Sequence, residues 1–326
     1  MREHADVDDS AGLRVLSIPL RSRFRQITVR EVVLLEGLDG VWGEWSPFLE
    51  YDAEVAAPWL ACAREAAAGD WPTPQRSTIE VNVTVPAVGP EQAHAIVLRG
   101  GCRTAKVKVA EPGQSLAEAQ ARLEAVRDAL GPDGRIRVDA NGLWTPDEAI
   151  TAIAVLDRAA GGLEYVEQPV MSVEDLAVVR RRVNVPIAAD ESIRRAADPY
   201  RVRDLAAADV AVLKVQPLGG VRACLRIAED IGLPVVVSSA LETSVGIAAG
   251  LALAAALPEL PYACGLATVQ LLSDDVAVDP LEPVAGTLPV GAPVLDEAAL
   301  DRLAATPDRV AHWEARYREV QGVRRD

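Results

Sequence analysis

Along residues 104–110, TAKVKVA, polar and apolar positions alternate with period two, so Lys106 and Lys108 share one side of a strand and Val107 and Val109 the other. Short apolar runs recur through the middle of the chain, at 78–85 (TIEVNVTV), 103–110 (RTAKVKVA), 135–140 (RIRVDA), 163–168 (LEYVEQ), 185–190 (VPIAAD), 210–215 (VAVLKV), 233–239 (LPVVVSS) and 262–267 (YACGLA). Between them lie amphipathic stretches such as SLAEAQARLEAVRDALG and GVRACLRIAEDIG. Strand then helix, repeated about eight times, predicts a parallel β/α barrel, whose strands are apolar on both faces because both are covered. A doubly wound open sheet is the alternative; it fits less well because no GxGxxG follows an early strand and the repeats run beyond six.

The flanks read differently. LRVLSIPL, QITVREVVLLEG and VWGEWS predict strands, and YDAEVAAPWLACAREAAAG has the i, i+3, i+4 spacing of a helix. Residues 1–77 are therefore expected to form a small α+β unit and 78–268 the barrel. The rest, 269–326, ends in one or two helices that pack back on the first unit. The longest apolar run, VGIAAGLALAAALPEL, is broken by Gly and Pro and is too short to span a bilayer, so it predicts a buried Ala-rich helix.

Composition narrows the function. A net charge of −15 repels nucleic acid and anionic membranes. Cys62, Cys102, Cys224 and Cys264 are far apart and form no CxxC, which points to reduced thiols rather than a zinc site or disulfide framework. The polar start, MREHADVDDS, is not a signal peptide, and a cytoplasmic location is expected. The six tryptophans are scattered as packing residues, with Trp144, just past Asp139, a candidate for the wall of the barrel mouth. Gly219 and Gly220 in PLGG predict a tight turn in preference to a phosphate cradle.

In a parallel barrel the site lies where the strands end. The polar residues that close successive runs are Lys108, Asp139, Glu167, Asp190, Lys214 and Ser238 or Ser239, at steps of 31, 28, 23, 24 and 24 residues, each one β/α unit long. Three carboxylates on consecutive strands would repel one another unless a cation sat among them, and three hard oxygen ligands suit Mg²⁺. In strand order the lysines flank this trio, so Lys108 and Lys214 would face each other across the mouth. A lysine beside a dication has a lowered pKa and is a candidate general base. Metal and lysine base together suggest proton abstraction α to a metal-bound carboxylate, through an enediolate.

With KVK, DAN, EQP, DES and LK in this strand order, the chain resembles the muconate-cycloisomerase branch of the enolase superfamily, and within it the short actinobacterial o-succinylbenzoate synthase family. The likeness extends to GEWSPFLEY in the N-terminal unit. It implies a modified (β/α)₇β barrel with an α+β cap. It also implies Asp139, Glu167 and Asp190 as ligands of Mg²⁺, with Mn²⁺ as a substitute. Lys108 would be the base, assisted by Lys106, with Lys214 stabilising the intermediate from the opposite face. Asn141 and Glu191 would support the ligands. Ser238, Ser239 and the backbone around Gly265 and Leu266 would hold a succinyl tail, and a cap loop near Arg23–Gln26 would close over the substrate. The implied reaction is syn dehydration of 2-succinyl-6-hydroxy-2,4-cyclohexadiene-1-carboxylate to o-succinylbenzoate in menaquinone biosynthesis. The partner expected is a small carboxylate, with no nucleic acid or membrane, for a monomer or a homo-oligomer.

Other readings fit less well. His4, His94 and His312 end no strand, which argues against a His–Asp dyad of the mandelate-racemase type. The run CGLATVQ lacks the D-x-D of dipeptide epimerases. Racemisation of N-acylamino acids needs two lysine bases, which are present, and is the runner-up. Muconate lactonisation and an inactive binding paralogue come last.

Overall fold

The computed structural model describes residues 13–37, 40–195 and 198–323; MREHADVDDS and His4 lie outside them. Strands β1 (Arg14–Phe24), β2 (Ile27–Glu36) and β3 (Trp42–Trp45) form an antiparallel sheet in the order β1-β2-β3, followed by α1 (Ala53–Ala67). Away from the β1–β2 hairpin tip, both faces of this sheet are buried. Val15, Val33 and Trp45 pack with Trp59 of α1 and with Trp313. Leu16, Ile18, Val32 and Leu34 pack on barrel residues Leu241, Val245 and Leu271.

The chain then runs β4 (Thr78–Glu80), β5 (Val83–Val85), α2 (Pro90–Val97), β6 (Thr104–Lys108), α3 (Leu116–Leu130), β7 (Arg135–Asp139), α4 (Pro146–Ala160), β8 (Tyr165–Glu167), α5 (Val173–Arg180) and β9 (Ile187–Ala189). It continues through α6 (Glu191–Arg194), α7 (Arg201–Asp204), β10 (Val210–Lys214), α8 (Val221–Ile231), β11 (Val235–Ser238) and α9 (Ser244–Ala256). Strands β5 to β11 lie side by side in sequence order, parallel throughout. The expected eighth strand, YACGLA, is reduced to Cys264 and Gly265. Cys264 bridges Val81 and Gly265 bridges Ser238, and these two parallel bridges close the ring. The first predicted strand is divided: β4 pairs antiparallel with β12 (Thr287–Pro289), and only β5 joins the barrel.

Period two runs round the ring. Val83, Val107, Val138, Val166, Ile187, Leu213 and Val237 face the helices in one large core. Tyr165, Ala188, Val210, Val212 and Val236 fill the interior. Capping boxes at Ser115/Glu118 and Thr145/Glu148 start α3 and α4 just past the strand ends, satisfying the first N–H groups of each helix. Every residue of α9 is buried, as the Ala-rich run predicts, and no helix among the described residues is long and apolar enough to cross a membrane. All four cysteines are buried and free.

Helices α10 (Glu297–Arg302) and α11 (Pro307–Gln321) return to the N-terminal sheet. Ser17 N–H donates to Leu303 O (2.9 Å) and Ala305 N–H to Val15 O (2.9 Å). Trp45 and Trp313 meet edge to face at 5.3 Å. Glu31 of β2 accepts from Arg309 Nε (2.7 Å), Arg309 Nη2 (2.5 Å) and Trp313 Nε1 (2.9 Å). Burial alone would raise the Glu31 pKa, but these donors hold it below the ordinary carboxylate value. A depressed folded-state pKa adds stability above the unfolded-state value, about 4.3, and that stability is lost as pH falls through the folded one. Glu31→Gln is expected to cost about 1–3 kcal/mol at pH 7. The gap from wild type should narrow on acidification, as read by denaturant unfolding at pH 7 and pH 3. A gap of equal size at both pH values would reject the charged contact as its source.

Candidate active site

The interior residues at the upper end of the barrel are polar. Lys106 and Lys108 of β6 sit opposite Arg137 and Asp139 of β7 in register, and Asp139 sits opposite Glu167 of β8. Lys106 Nζ donates to both oxygens of Glu167 (3.0 Å each) and lies 3.6 Å from Asp139 Oδ2. Lys108 Nζ donates to Asp139 Oδ2 (2.6 Å) and to Asn141 Oδ1 (2.6 Å). From β10, Lys214 Nζ donates to Asp190 Oδ2 (2.5 Å), whose other oxygen accepts from Arg194 Nε (2.8 Å). The ion pairs that distant strands bring together are thus the partners missing from the local sequence around each lysine.

The supporting groups form a chain of hydrogen bonds. Asn141, at a left-handed φ of 49°, donates from its backbone N–H to Asp139 Oδ1 (3.0 Å) and from Nδ2 to Glu191 Oε1 (3.3 Å). Glu191 also accepts from Arg194 Nη2 (2.6 Å), while its buried Oε2 has no partner among the described residues. Gln168 Oε1 accepts from the N–H groups of Asp190 (3.0 Å) and Ser192 (3.1 Å) and so locks the ends of β8 and β9 together.

Burial and neighbouring charge set the protonation states. Burial would raise Asp139 and Asp190, but Lys108 and Lys106 for the first, and Arg194 and Lys214 for the second, hold both well below the usual carboxylate range. Glu167 is pushed up to about 7 by burial and by Asp139 and Asp190, which outweigh Lys106. Burial would lower Lys106, but Glu167 and Asp139 raise it. Lys108 is lowered by burial, with Lys106 adding to the effect against Asp139.

Among the described residues, no three acid, histidine or cysteine side chains close on one point as they stand. Ammonium groups pair with the carboxylates instead. The donors nevertheless fit a hard dication: they are all oxygen, nearly fully buried and anionic, with Glu167 still short of positive charge and Glu191 Oε2 unpaired behind them.

Ser238, Ser239 and Gly265 line the same cavity, and Ser238 Oγ accepts from Lys106 Nζ at 3.5 Å. The Leu266 side chain turns away and packs against Gly250 of α9. Thr84, Thr268, Phe24 and Arg25 also line the cavity and carried no signal in the strand-end pattern. Thr268 Oγ1 shares a hydrogen bond with Ser239 Oγ (2.7 Å). The tip of the β1–β2 hairpin lies over the mouth, with the Phe24 ring 5.4 Å from Lys108 Nζ, and the space left is about 30 Å³. Trp144 lines an outer cleft between α3 and α4. Gly219 and Gly220 make the expected turn at positive φ. The α8 N-terminus beyond them is taken by Glu65, which accepts from the N–H groups of Val221 (2.5 Å) and Arg222 (3.1 Å).

This geometry defines a capped-barrel enzyme of the enolase type, and comparison with known proteins agrees. Residues 90–293 match the model described as enolase C-terminal domain-like, and residues 15–67 that described as enolase N-terminal domain-like. The chain belongs to the enolase superfamily, whose members generally work with a divalent metal. Its relatives include the o-succinylbenzoate synthase of Thermobifida fusca (64% identical; 93% of this chain, 94% of the relative) and that of Mycolicibacterium smegmatis (54%; 92% of each). Among solved structures, the fold is similar to muconate lactonizing enzyme from Pseudomonas fluorescens (TM-score 0.77, 22% identity, 90% of this chain and 98% of that chain). It is also similar to the L-Ala-D/L-Glu epimerase from Bacillus subtilis (TM-score 0.73, 24%, 87% and 96%).

Proposed function

We propose that the chain is an o-succinylbenzoate synthase, a carbon–oxygen lyase of menaquinone biosynthesis. It removes water from 2-succinyl-6-hydroxy-2,4-cyclohexadiene-1-carboxylate. The observation that carries the chemistry is the buried pairing of two lysine-bearing strands across three acids: Lys106 and Lys108 from β6 and Lys214 from β10. Relatives 54–64% identical over most of the chain favour dehydration over the other reactions of the branch.

Lys108 takes the proton α to the ring carboxylate, and the C–H electron pair moves into the carboxylate. The same ammonium then returns the proton to the hydroxyl on that face. The C–O bond breaks, water leaves and the ring becomes aromatic. Lys214 holds negative charge on the opposite face, and Lys106 keeps Glu167 and Asp139 oriented. A Mg²⁺ or Mn²⁺ ion held by Asp139, Glu167 and Asp190 would supply fixed positive charge for the substrate carboxylate and the enediolate. Ser238, Ser239 and Gly265 receive the succinyl tail, with Thr268 orienting Ser239. Every group named comes from one chain, so a monomer suffices, and the cytoplasm is the proposed compartment.

The test follows o-succinylbenzoate by its ultraviolet absorbance with Mg²⁺ present, beside racemisation of N-succinyl amino acids, which would need Lys108 and Lys214 as opposed bases. Dehydration should be the faster reaction by a wide margin. Racemisation without dehydration would reject the proposal.

A further inference from the structure

A second cleft, of about 390 Å³, opens beside the barrel mouth between the β1 end of the hairpin, α2 and the turn of 3₁₀ helix at Ala267–Leu271. Arg21, Arg99, Gln92, Gln270 and Ser22 line it, and Thr84 stands in both its wall and that of the active-site cavity. No acid lines it. Neither arginine has an ion pair or side-chain hydrogen bond among the described residues. Asp274, the acid that feels Arg21, is itself bound by Arg302 Nε (2.9 Å). Thr84 and Gln270 line the cleft, and among the described residues Thr84 Oγ1 and Gln270 Oε1 are buried without partners, Thr84 being 4% exposed. Two exposed guanidinium groups with no acid among the lining residues make this cleft locally cationic in a chain of net charge −15.

We propose that this cleft is a carboxylate-capture site, in which Arg21 and Arg99 draw a dianionic substrate from solvent and pass it by Thr84 to the barrel mouth. The proposal rests on the dehydratase reading, whose substrate carries a ring carboxylate and a succinyl carboxylate. It also explains how an acidic protein receives an acidic ligand. A net charge of −15 repels a dianion at long range, whereas a cleft of one sign focuses the field locally and raises the encounter rate.

The two effects have opposite salt dependence. If net charge governs, kcat/KM rises with ionic strength; if the cleft governs, it falls. For the wild type kcat/KM is expected to fall about tenfold between ~10 mM and ~300 mM NaCl, as the Debye length shrinks from about 30 Å to under 8 Å. The Arg21→Gln/Arg99→Gln variant should lose about tenfold in kcat/KM at low salt, with its loss in KM and not in kcat, and should show a flat or rising salt profile. Arg226→Gln, on the exposed side of α8, should keep the wild-type slope. A wild-type profile that rises or stays level, or a double variant that retains the slope, overturns the capture site and leaves the dehydratase reading standing. Absence of dehydration overturns that reading instead. The same salt series on binding of o-succinylbenzoate, itself a dianion, then decides the cleft: affinity that falls with salt in wild type but not in the double variant supports it, and any other pattern overturns it.

Discussion

Lys108→Ala is expected to lower the dehydration rate by about 10³-fold or more while the protein stays folded, as read by stopped-flow ultraviolet absorbance and by circular dichroism. The size follows from the two jobs proposed for the residue, proton acceptor and then donor, each of which by general acid–base catalysis is worth about 10²–10⁴-fold. Folding survives because Asp139 keeps Lys106 at 3.6 Å and the N–H of Asn141 at 3.0 Å. The pH profile separates a base from a structural cation. Burial lowers the Lys108 pKa from its ordinary value and Lys106 lowers it further, so more of the neutral amine is present near neutrality than on a free lysine. The wild-type kcat/KM should therefore fall as pH drops and the amine is protonated, and the residual activity of Lys108→Ala should lack that limb. Turnover within tenfold of wild type, or an unchanged acid limb, would remove Lys108 from the reaction.

How far such a site can be read from sequence depends on which layer of the barrel a residue occupies. The strand-end positions were legible because the ring forces one inward side chain per strand to the mouth and each β/α unit repeats at nearly constant length. Asp139, Glu167 and Asp190 emerge from that rule, as does the meeting of both lysine-bearing strands with them. One layer lower the rule is silent. Arg137 lies in mid-strand, yet its guanidinium is fully buried in the barrel, donating to Ala263 O (2.7 Å) and Asn82 Oδ1 (3.1 Å). Thr84 is likewise inward but is followed by Val85, so the last polar residue of its run gave no distinct mark. The eighth strand shows a different limit. Two bridged residues suffice to close the ring, too few for a period to declare itself.

The cap was legible as a sheet and a helix, but its attachment was not. Glu44 of β3 accepts from Thr243 Oγ1 (2.6 Å), from Thr243 N–H (3.0 Å) and from Gly246 N–H (3.1 Å), so a buried cap carboxylate sits at the N-terminus of barrel helix α9. Arg30 Nε donates to Leu241 O (2.9 Å) on the loop that carries Ser239 toward the cavity. Such contacts join residues about two hundred positions apart, and neither end carries a local pattern. They follow from tertiary packing alone; the resemblance implies a cap loop near Arg23–Gln26 over the substrate, but no local pattern fixes how Phe24 and Arg25 reach the mouth.

Removing divalent ions should abolish activity without unfolding the protein. A Lewis-acid ion contributes several kcal/mol to an enediolate, so chelation should lower the rate at least ~100-fold, with recovery on adding Mg²⁺ or Mn²⁺. Stability should hold in chelator because each acid already has an ammonium partner: Lys106 on Glu167, Lys108 on Asp139 and Lys214 on Asp190. Added Mg²⁺ should nevertheless raise the melting temperature, since a ligand at about 100 times its Kd adds about 2.7 kcal/mol. Asp139→Asn separates the two roles of that carboxylate. In chelator it should destabilise by about 3–5 kcal/mol, because Lys108 loses its buried counter-charge, and in Mg²⁺ it should gain little or no thermal protection. The pairing seen here and the binding of a dication are then alternative solutions to one problem, the burial of three carboxylates in a closed ring. A dication held by the carboxylates would leave the amines free for the substrate. Full activity in chelator, or an Asp139→Asn protein that Mg²⁺ stabilises as well as wild type, would contradict that exchange.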